Sequence, residues 1–197
     1  DNDMFGNAQV SGGMNDVDQT RINVGGTTVE EALSDYTSNQ YQIYSEVGRL
    51  FSWDNDVHLT PVVSMNYMMV EPTDYTEKGL GGANLIVETD PLSVLELGIG
   101  AELSSNFYNN NGMFTPSVRA AYRYDLIDEE VQSTTAFVGG GSSFVLEGFD
   151  PAESRFTFGA GMHYLSRGPW QLSADYELDL RADYVSQSGY MKAAYRF

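Results

Sequence analysis

The chain has 197 residues with 28 acidic and 10 basic side chains, no cysteine, 20 glycines and 13 tyrosines. Its length favours one domain, and 42% apolar with 13% aromatic residues is too apolar for a disordered chain. A net charge of −18 argues against nucleic acid, and the absence of cysteine excludes a disulfide framework, a thiolate zinc site and a cysteine nucleophile.

Apolar and polar side chains alternate along most of the chain, which is the period of a strand with two unlike faces. Ten strands are predicted, at roughly 4–14, 40–51, 57–70, 80–88, 92–104, 113–126, 134–146, 155–165, 170–179 and 187–197. The first is weakly patterned. Between it and the second, Val29-Glu30-Glu31-Ala32-Leu33 predicts one helical turn in a loop, capped by Thr27 or Thr28. In the third, Val57, Leu59, Val63, Met65 and Tyr67 share one parity, and His58, Thr60, Ser64 and Asn66 the other. Leu95, Leu97, Ile99 and Leu103 oppose Glu96 and Glu102. Phe114, Val118, Ala120 and Tyr122 oppose Arg119 and Arg123. Gly139-Gly140-Gly141 blurs the faces of 134–146 and permits a bend. The clearest case is 170–180, where Trp170, Leu172, Ala174, Tyr176, Leu178 and Leu180 oppose Gln171, Ser173, Asp175, Glu177 and Asp179.

Connections alternate in length. Short ones are expected at Ser52–Asp56, Thr89–Pro91, Ile127–Ser133 and Ser166–Pro169. Long ones are expected at Asn15–Asn39, Glu71–Gly79, Ser105–Gly112, Glu147–Ser154 and Arg181–Ser186. With strands running up and down, all short turns fall at one end, the layout of an outer-membrane barrel. No window approaches the ~18 consecutive apolar residues of a membrane helix, whereas tilted strands of ~9–11 residues cross a bilayer. No secretory signal opens the chain, and Asp1-Asn2-Asp3 reads as a mature or trimmed start.

A soluble antiparallel sandwich would alternate too, with its apolar face inward. Two features favour the opposite orientation. Charges recur mid-strand on the polar parity: Glu46, Glu96, Glu102, Arg119, Arg123, Asp175, Glu177, Lys192 and Arg196. A wet lumen accepts them, with Glu96 and Glu102 placed to pair with Arg119 and Arg123. Aromatic residues lie near the strand ends of the apolar parity, including Tyr41, Phe51, Tyr67, Tyr124, Tyr164 and Trp170, as in the girdles of membrane barrels. The expected fold class is therefore all-β, a transmembrane antiparallel up-and-down barrel, forming one domain over 1–197. Residues 1–39 are read as a first strand and long external loop, and 40–197 as the remaining strands. The last strand places Met191, Ala193, Tyr195 and Phe197 on one face. A terminal aromatic there resembles the signal by which outer-membrane proteins engage the barrel assembly machinery.

From about Tyr41 to Phe197 the chain resembles the translocator barrel of autotransporters (type V secretion). The resemblance rests on Tyr44-Ser-Glu-Val-Gly48, Leu59-Thr-Pro61, Tyr75-Thr-Glu-Lys-Gly79, Leu97-Gly-Ile-Gly-Ala-Glu-Leu-Ser104, Phe114-Thr-Pro-Ser-Val-Arg-Ala-Ala-Tyr-Arg-Tyr-Asp125 and Tyr195-Arg-Phe197, in family order. It implies a twelve-stranded barrel in the outer membrane of a Gram-negative bacterium, with a helix through its lumen and a passenger tethered to it. Aligned by motif, Met4–Met14 falls on the third strand, so passenger, linker helix and two strands are expected to be missing here. The implied role is translocation and anchoring of the passenger, with the assembly machinery, lipid and lipopolysaccharide as partners. The alternative is a small porin-like or structural barrel without a passenger.

No enzymatic activity, cofactor or metal is expected. Some family members cut their passenger junction with lumenal acids, but no junction is present. His163 faces inward beside Asp175 and Glu177, so a His–carboxylate pair is possible; no G-x-S-x-G accompanies it. His58 is expected near a short turn. The loop acids Asp16, Asp18, Asp74, Glu77, Glu147, Asp150 and Glu153 offer oxygen ligands for Ca²⁺ or for bridging to lipopolysaccharide phosphate. Their spacing forms no calcium loop, and solvated charge is the plainer reading.

Overall fold

The computed structural model describes residues 3–25, 28–53, 55–127, 129–148, 152–182 and 184–197. In chain order these form β1 (Met4–Gly25), β2 (Thr28–Arg49), β3 (Phe51–Trp53), β4 (Val57–Pro72), β5 (Tyr75–Thr76), a 3-10 turn at Gly81–Ala83, β6 (Leu85–Thr89), β7 (Leu92–Ser105) and β8 (Phe107–Asn109). Then follow β9 (Gly112–Asp125), β10 (Gln132–Phe137), β11 (Phe144–Glu147), β12 (Ser154–Ser166), β13 (Trp170–Arg181) and β14 (Val185–Tyr195). The main sheet has ten strands. Eight long ones run in the order β1-β2-β4-β7-β9-β12-β13-β14, and the short β3 and β8 pair with β4 and β9. Every pairing is antiparallel, and the sheet curls into a half-barrel. Among the described residues β1 and β14 do not pair with each other.

Two expected crossings are corrected. Residues 80–88 and 134–146 do not enter the main sheet. β4 pairs directly with β7, from Val57↔Ser105 to Val70↔Leu92, and β9 pairs directly with β12. The intervening segments instead form a second sheet in the order β11-β10-β6-β5. Their alternation is real, but a period of two says which faces differ, not which partner a strand takes. At five and six residues, β6 and β10 have about half the length a crossing needs. Counted back from β14, β1 is the eighth long strand rather than the tenth.

The connections are corrected with them. Residues 50–56, 106–111 and 167–169 share the short-turn end. The β1–β2 hairpin, 73–91, 126–153 and 182–184 share the other. Ser105–Gly112, expected among the long loops, therefore belongs with the short turns, and Thr89–Pro91 and Ile127–Ser133 with the long end. Residues 15–39 are no irregular loop where they are described. β1 and β2 pair without a break from Met4↔Arg49 to Gly25↔Thr28. Val29–Leu33 lies in that ladder as strand rather than helix, and Thr27 lies outside the described residues. Twenty-two residues of strand reach about 70 Å, so roughly half of each strand projects beyond a bilayer.

The apolar parity faces outward. Leu97, Val118, Leu172 and Tyr176 are 44%, 56%, 46% and 46% exposed, whereas the Asp175 side chain is 8% exposed on the inner face. Aromatic contacts gather at both rims of this apolar band. At the short-turn end Trp170 meets Tyr195 edge-on at 5.0 Å, Tyr195 meets Phe197 at 5.3 Å, and Phe107 lies 6.5 Å from Phe114. At the long end Tyr122 lies 4.8 Å from Phe156. Among the described residues, the buried side chains apart from Thr157 gather outside the main sheet's central band: Ala32, Ser34, Glu77, Val87 and Thr135.

The orientation of the faces gives a first prediction. A cation at Val118, midway along β9, would face acyl chains. Val118→Arg should destabilise the protein in lipid by about 2–4 kcal/mol, read from urea unfolding in vesicles. Ser117→Arg, on the wet side, should cost much less.

Candidate functional site: a charged inner wall

The inner wall is built by register. Glu102, Arg119, Gly159 and Glu177 lie opposite one another across β7, β9, β12 and β13. Arg119 does not stop at its neighbour. Its side chain lies over Gly159 and reaches Glu177 at 3.1 Å and Asp175 at 3.6 Å, two strands away. A Cβ at Gly159 would collide with Arg119 Nε and Cγ, so glycine is what opens that path. Gly98, opposite Arg123, leaves room in the same way: a Cβ there would stand 3.1 Å from Arg123 Cγ. Arg123 donates to Thr157 Oγ1 at 3.0 Å.

A second link runs nearer the long end. Arg155 on β12 bridges Glu96 on β7 at 3.1 Å and Asp179 on β13 at 3.6 Å. The row extends through Asn66, which donates to Glu96 at 3.4 Å, to Gln42, which donates to Asn66 at 2.8 Å. Tyr44 donates to Glu46 at 2.6 Å. A cavity of about 250 Å³ is lined by Tyr44 and Glu46 from β2, Glu102, Arg119, Arg123 and Glu177 from β13. Strands so far apart in the sheet order meet at one cavity because the polar face is the concave one.

The structure thus brings Glu46, Glu96, Glu102, Arg119, Arg123, Asp175 and Glu177 onto one wall, but with partners other than sequence spacing implied. Glu96 pairs with Arg155, and Arg119 pairs across β12 rather than with Glu102 beside it. Lys192 and Arg196 lie on the inward parity of the β14 segment, Lys192 in register with Ser173. Met191, Ala193, Tyr195 and Phe197 share the opposite parity, and Met191 is 88% exposed. Arg155 escapes the sequence reading, although it extends the parity assigned to Thr157–His163; Asp179 is sorted there onto the polar face but not named among the lumenal charges. His163 and Asp175 form no pair, since the Asp175 carboxylate turns to Arg119. His58 ties two short turns together: Nδ1 lies 2.9 Å from Ser52 Oγ, and Nε2 lies 3.1 Å from Asn106 Nδ2. Asn106 Oδ1 accepts from Thr115 at 2.8 Å.

Outside the band, a clamp joins the β1–β2 projection to the second sheet. Arg21 meets Glu77 through two hydrogen bonds, from Nε at 2.8 Å and from Nη2 at 2.6 Å, and Nη2 also donates to the Ala83 carbonyl at 3.0 Å. Glu77 accepts from the Leu85 N–H at 2.9 Å. Leu33 and Lys78 exchange backbone hydrogen bonds, and Tyr36 stacks on Tyr75 at 4.8 Å. Gly79 sits at φ +118°, and a Cβ added there would collide with the Glu31 carbonyl oxygen, so a side chain would meet both strain and collision. The Glu-Lys-Gly run thereby gains a physical meaning: pin, ladder and turn. Among the other loop acids, Asp74 accepts from the Thr89 N–H at 2.8 Å and Glu153 accepts from the Tyr124 hydroxyl. Asp150 lies outside the described residues. Gly140 and Gly141 take positive φ in the β10–β11 turn. Among the described residues, no three His, Asp or Glu side chains converge as metal ligands.

The Arg21 hydrogen bonds hold the Glu77 carboxyl below the ordinary carboxylate range against the opposing effect of burial, with help from the Leu85 N–H. The same contact raises the Arg21 guanidinium. Because the folded value is depressed, this stabilisation is full above the unfolded carboxylate range and is lost as pH falls through the folded value. The protection factors of amides 75–89, corrected for the intrinsic pH dependence of exchange, should therefore hold at neutral pH and fall only below the usual glutamate range. Glu77→Gln should cost the second sheet roughly 1–3 kcal/mol at pH 7 and flatten that acid dependence. On the inner wall, Gly159→Val should break the Arg119–Glu177 contact, seen as loss of the double-mutant coupling between Arg119→Gln and Glu177→Gln.

Residues 1–177 match the family described as Autotransporter beta-domain. The chain is similar to Outer membrane protein A of Rickettsia conorii (strain ATCC VR-613 / Malish 7), at 24% identity over 174 residues, covering 85% of this chain and 8% of that protein. It is similar to Outer membrane protein A of Rickettsia rickettsii to the same degree, 24% over 174 residues, covering 85% of this chain and 7% of that protein. The chain thus spans less than a tenth of the length of the curated relatives it matches.

Proposed function

The chain belongs to the autotransporter beta-domain family, outer-membrane barrels of the translocator kind, and from that premise we propose that it carries a passenger polypeptide across the outer membrane and then anchors it. One observation supports this most: the faces are inverted relative to a soluble protein, with exposed Leu97, Val118 and Leu172 outside and the Arg119 and Arg155 ion pairs inside. Such a wall is greasy toward lipid and wet toward an extended chain. The wall acts passively, by lining a path and holding its end in the membrane. The sequence carries no nucleotide-binding motif, so the free energy for export is assigned to folding of the passenger outside.

The open sheet fits a larger closed assembly. Unpaired N–H and C=O groups along β1 and β14 would cost several kcal/mol each in hydrocarbon. Further strands along both edges meet that demand, and 1–197 then forms one continuous part of a single barrel domain. Lipopolysaccharide and lipid contact the outer face. The barrel assembly machinery engages the β14 edge through Met191, Ala193, Tyr195 and Phe197, of which Tyr195 meets both Trp170 and Phe197 edge-on.

Fractionation tests this. The protein should leave membranes only with detergent and show heat-modifiable gel migration. Phe197→Ala should lower the amount in the outer membrane several-fold and leave the unfolded band unchanged. A protein soluble without detergent, or an unaltered membrane level in the variant, would overturn the respective parts of the reading.

A further inference from the structure

The inner wall is not uniform along its axis. Thr115, His163, Ser173 and Lys192 stand opposite one another across β9, β12, β13 and β14, near the short-turn end. They line a cavity of about 400 Å³ that Tyr190 and Asp175 also border. Asp175 is the one acid among the lining residues, and Arg119 already engages it at 3.6 Å. Among the described residues, Lys192 makes no ion pair. Just beyond it, Gln171 with its amide oxygen turned inward accepts from Arg196 Nε at 3.0 Å, which holds that guanidinium beside the cavity. The Thr115 hydroxyl is already donated to Asn106 and the Arg196 Nε and Nη2 to Gln171, which leaves the Lys192 ammonium, the Ser173 and Tyr190 hydroxyls and the His163 imidazole lining the cavity.

This runs against the rest of the molecule. The net charge is −18, and the long end carries Glu30, Glu31, Asp35, Asp74, Glu88 and Glu147. A cationic pocket at one mouth and acidic loops at the other set up an axial field that draws anions toward the short-turn end. The cavity opens on the concave face, away from acyl chains, so its ligand arrives through the lumen.

We propose that this row is a binding subsite for peptide-borne carboxylates, through which an acidic stretch of polypeptide is held at the short-turn mouth. The proposal rests on the inner wall being a lumen, as above. Lys192 supplies the charge, Arg196, held by Gln171, adds a second cation beside the cavity, and the Ser173 and Tyr190 hydroxyls orient the bound oxygen atoms.

The test uses the whole chain in detergent micelles at low salt, with fluorescence anisotropy of a labelled Glu-rich peptide, a Gln-rich peptide of equal length and inorganic phosphate as competitor. The Glu-rich peptide should bind more tightly despite the protein's negative charge. Lys192→Gln combined with His163→Gln should weaken it by about threefold to tenfold, while Lys192→Arg retains it. Equal binding of the two peptides, or no loss in the double variant, overturns the proposal. Phosphate displacing the peptide at comparable concentration also overturns it and assigns the row to free phosphate. Heat-modifiable migration of the same samples reports separately on the barrel, so failure of the subsite and failure of the lumen reading are distinguishable.

Discussion

A backbone inside hydrocarbon has no water to bond with, so each N–H and C=O must find a partner in the protein. Almost everything in this chain follows from that constraint. Without a membrane-crossing helix among the described residues, the remaining solution is strand beside strand. Antiparallel neighbours joined by short turns give the simplest order, and the sheet runs β1-β2-β4-β7-β9-β12-β13-β14 with no strand out of sequence. Pairing fixes register, and register fixes which side chains meet lipid. A slip of one residue along β13 would turn Asp175 and Glu177 outward and Leu172 and Tyr176 inward. Such a slip is strongly disfavoured, because carboxylates in an acyl environment and apolar groups in a wet one both lose.

The inner wall solves a second problem, that of holding charges without filling the lumen. Arg119 and Arg155 lie along the wall and reach across a whole strand to their acids. For Arg119 the intervening residue is Gly159, and its missing side chain is the reason the guanidinium can lie flat. Glycine normally weakens a strand. Here that weakness is offset by ion pairs that stitch β9 to β13 and β7 to β12, linking strands that share no ladder. These pairs are partly hydrated, so their value lies in shape and orientation more than in net stability.

The sequence made the two faces legible because parity is a local property. Trp170 through Leu180 can be sorted into wet and dry sides without knowing any neighbour. Partnership is not local. The segments at 80–88 and 134–146 alternate as convincingly as true crossings, yet they pair with each other, Val87 opposite Thr135, above the main sheet. Length was the available signal, since five or six residues cannot cross a bilayer. The same limit hid the clamp: Arg21 and Glu77 are 56 positions apart, and nothing in the spacing joins them. Arg155 was a different kind of omission. Its parity was readable from Thr157 and the predicted strand at 155–165 already contained it, but its partners, Glu96 on β7 and Asp179 on β13, could not be read from spacing.

The two ends of the chain show that one polypeptide can fold against two solvents. Within the band, apolar residues gain nothing by hiding from acyl chains, so Val118, Leu97 and Met191 stay exposed and no dry core forms between strands. Beyond the band, water returns and with it the drive to bury apolar surface. There Ala32, Val87 and Thr135 become buried, Tyr36 stacks on Tyr75, and a second sheet closes over them. Burial in water brings a polar cost, and Glu77 would be an isolated carboxylate beneath that sheet. Arg21 answers it with two hydrogen bonds from a strand that also runs into the membrane. The clamp therefore sits out in the aqueous cap, near the tip of the β1–β2 projection, and ties that cap to strands whose membrane part is ordered by ladder hydrogen bonds and inner-wall ion pairs.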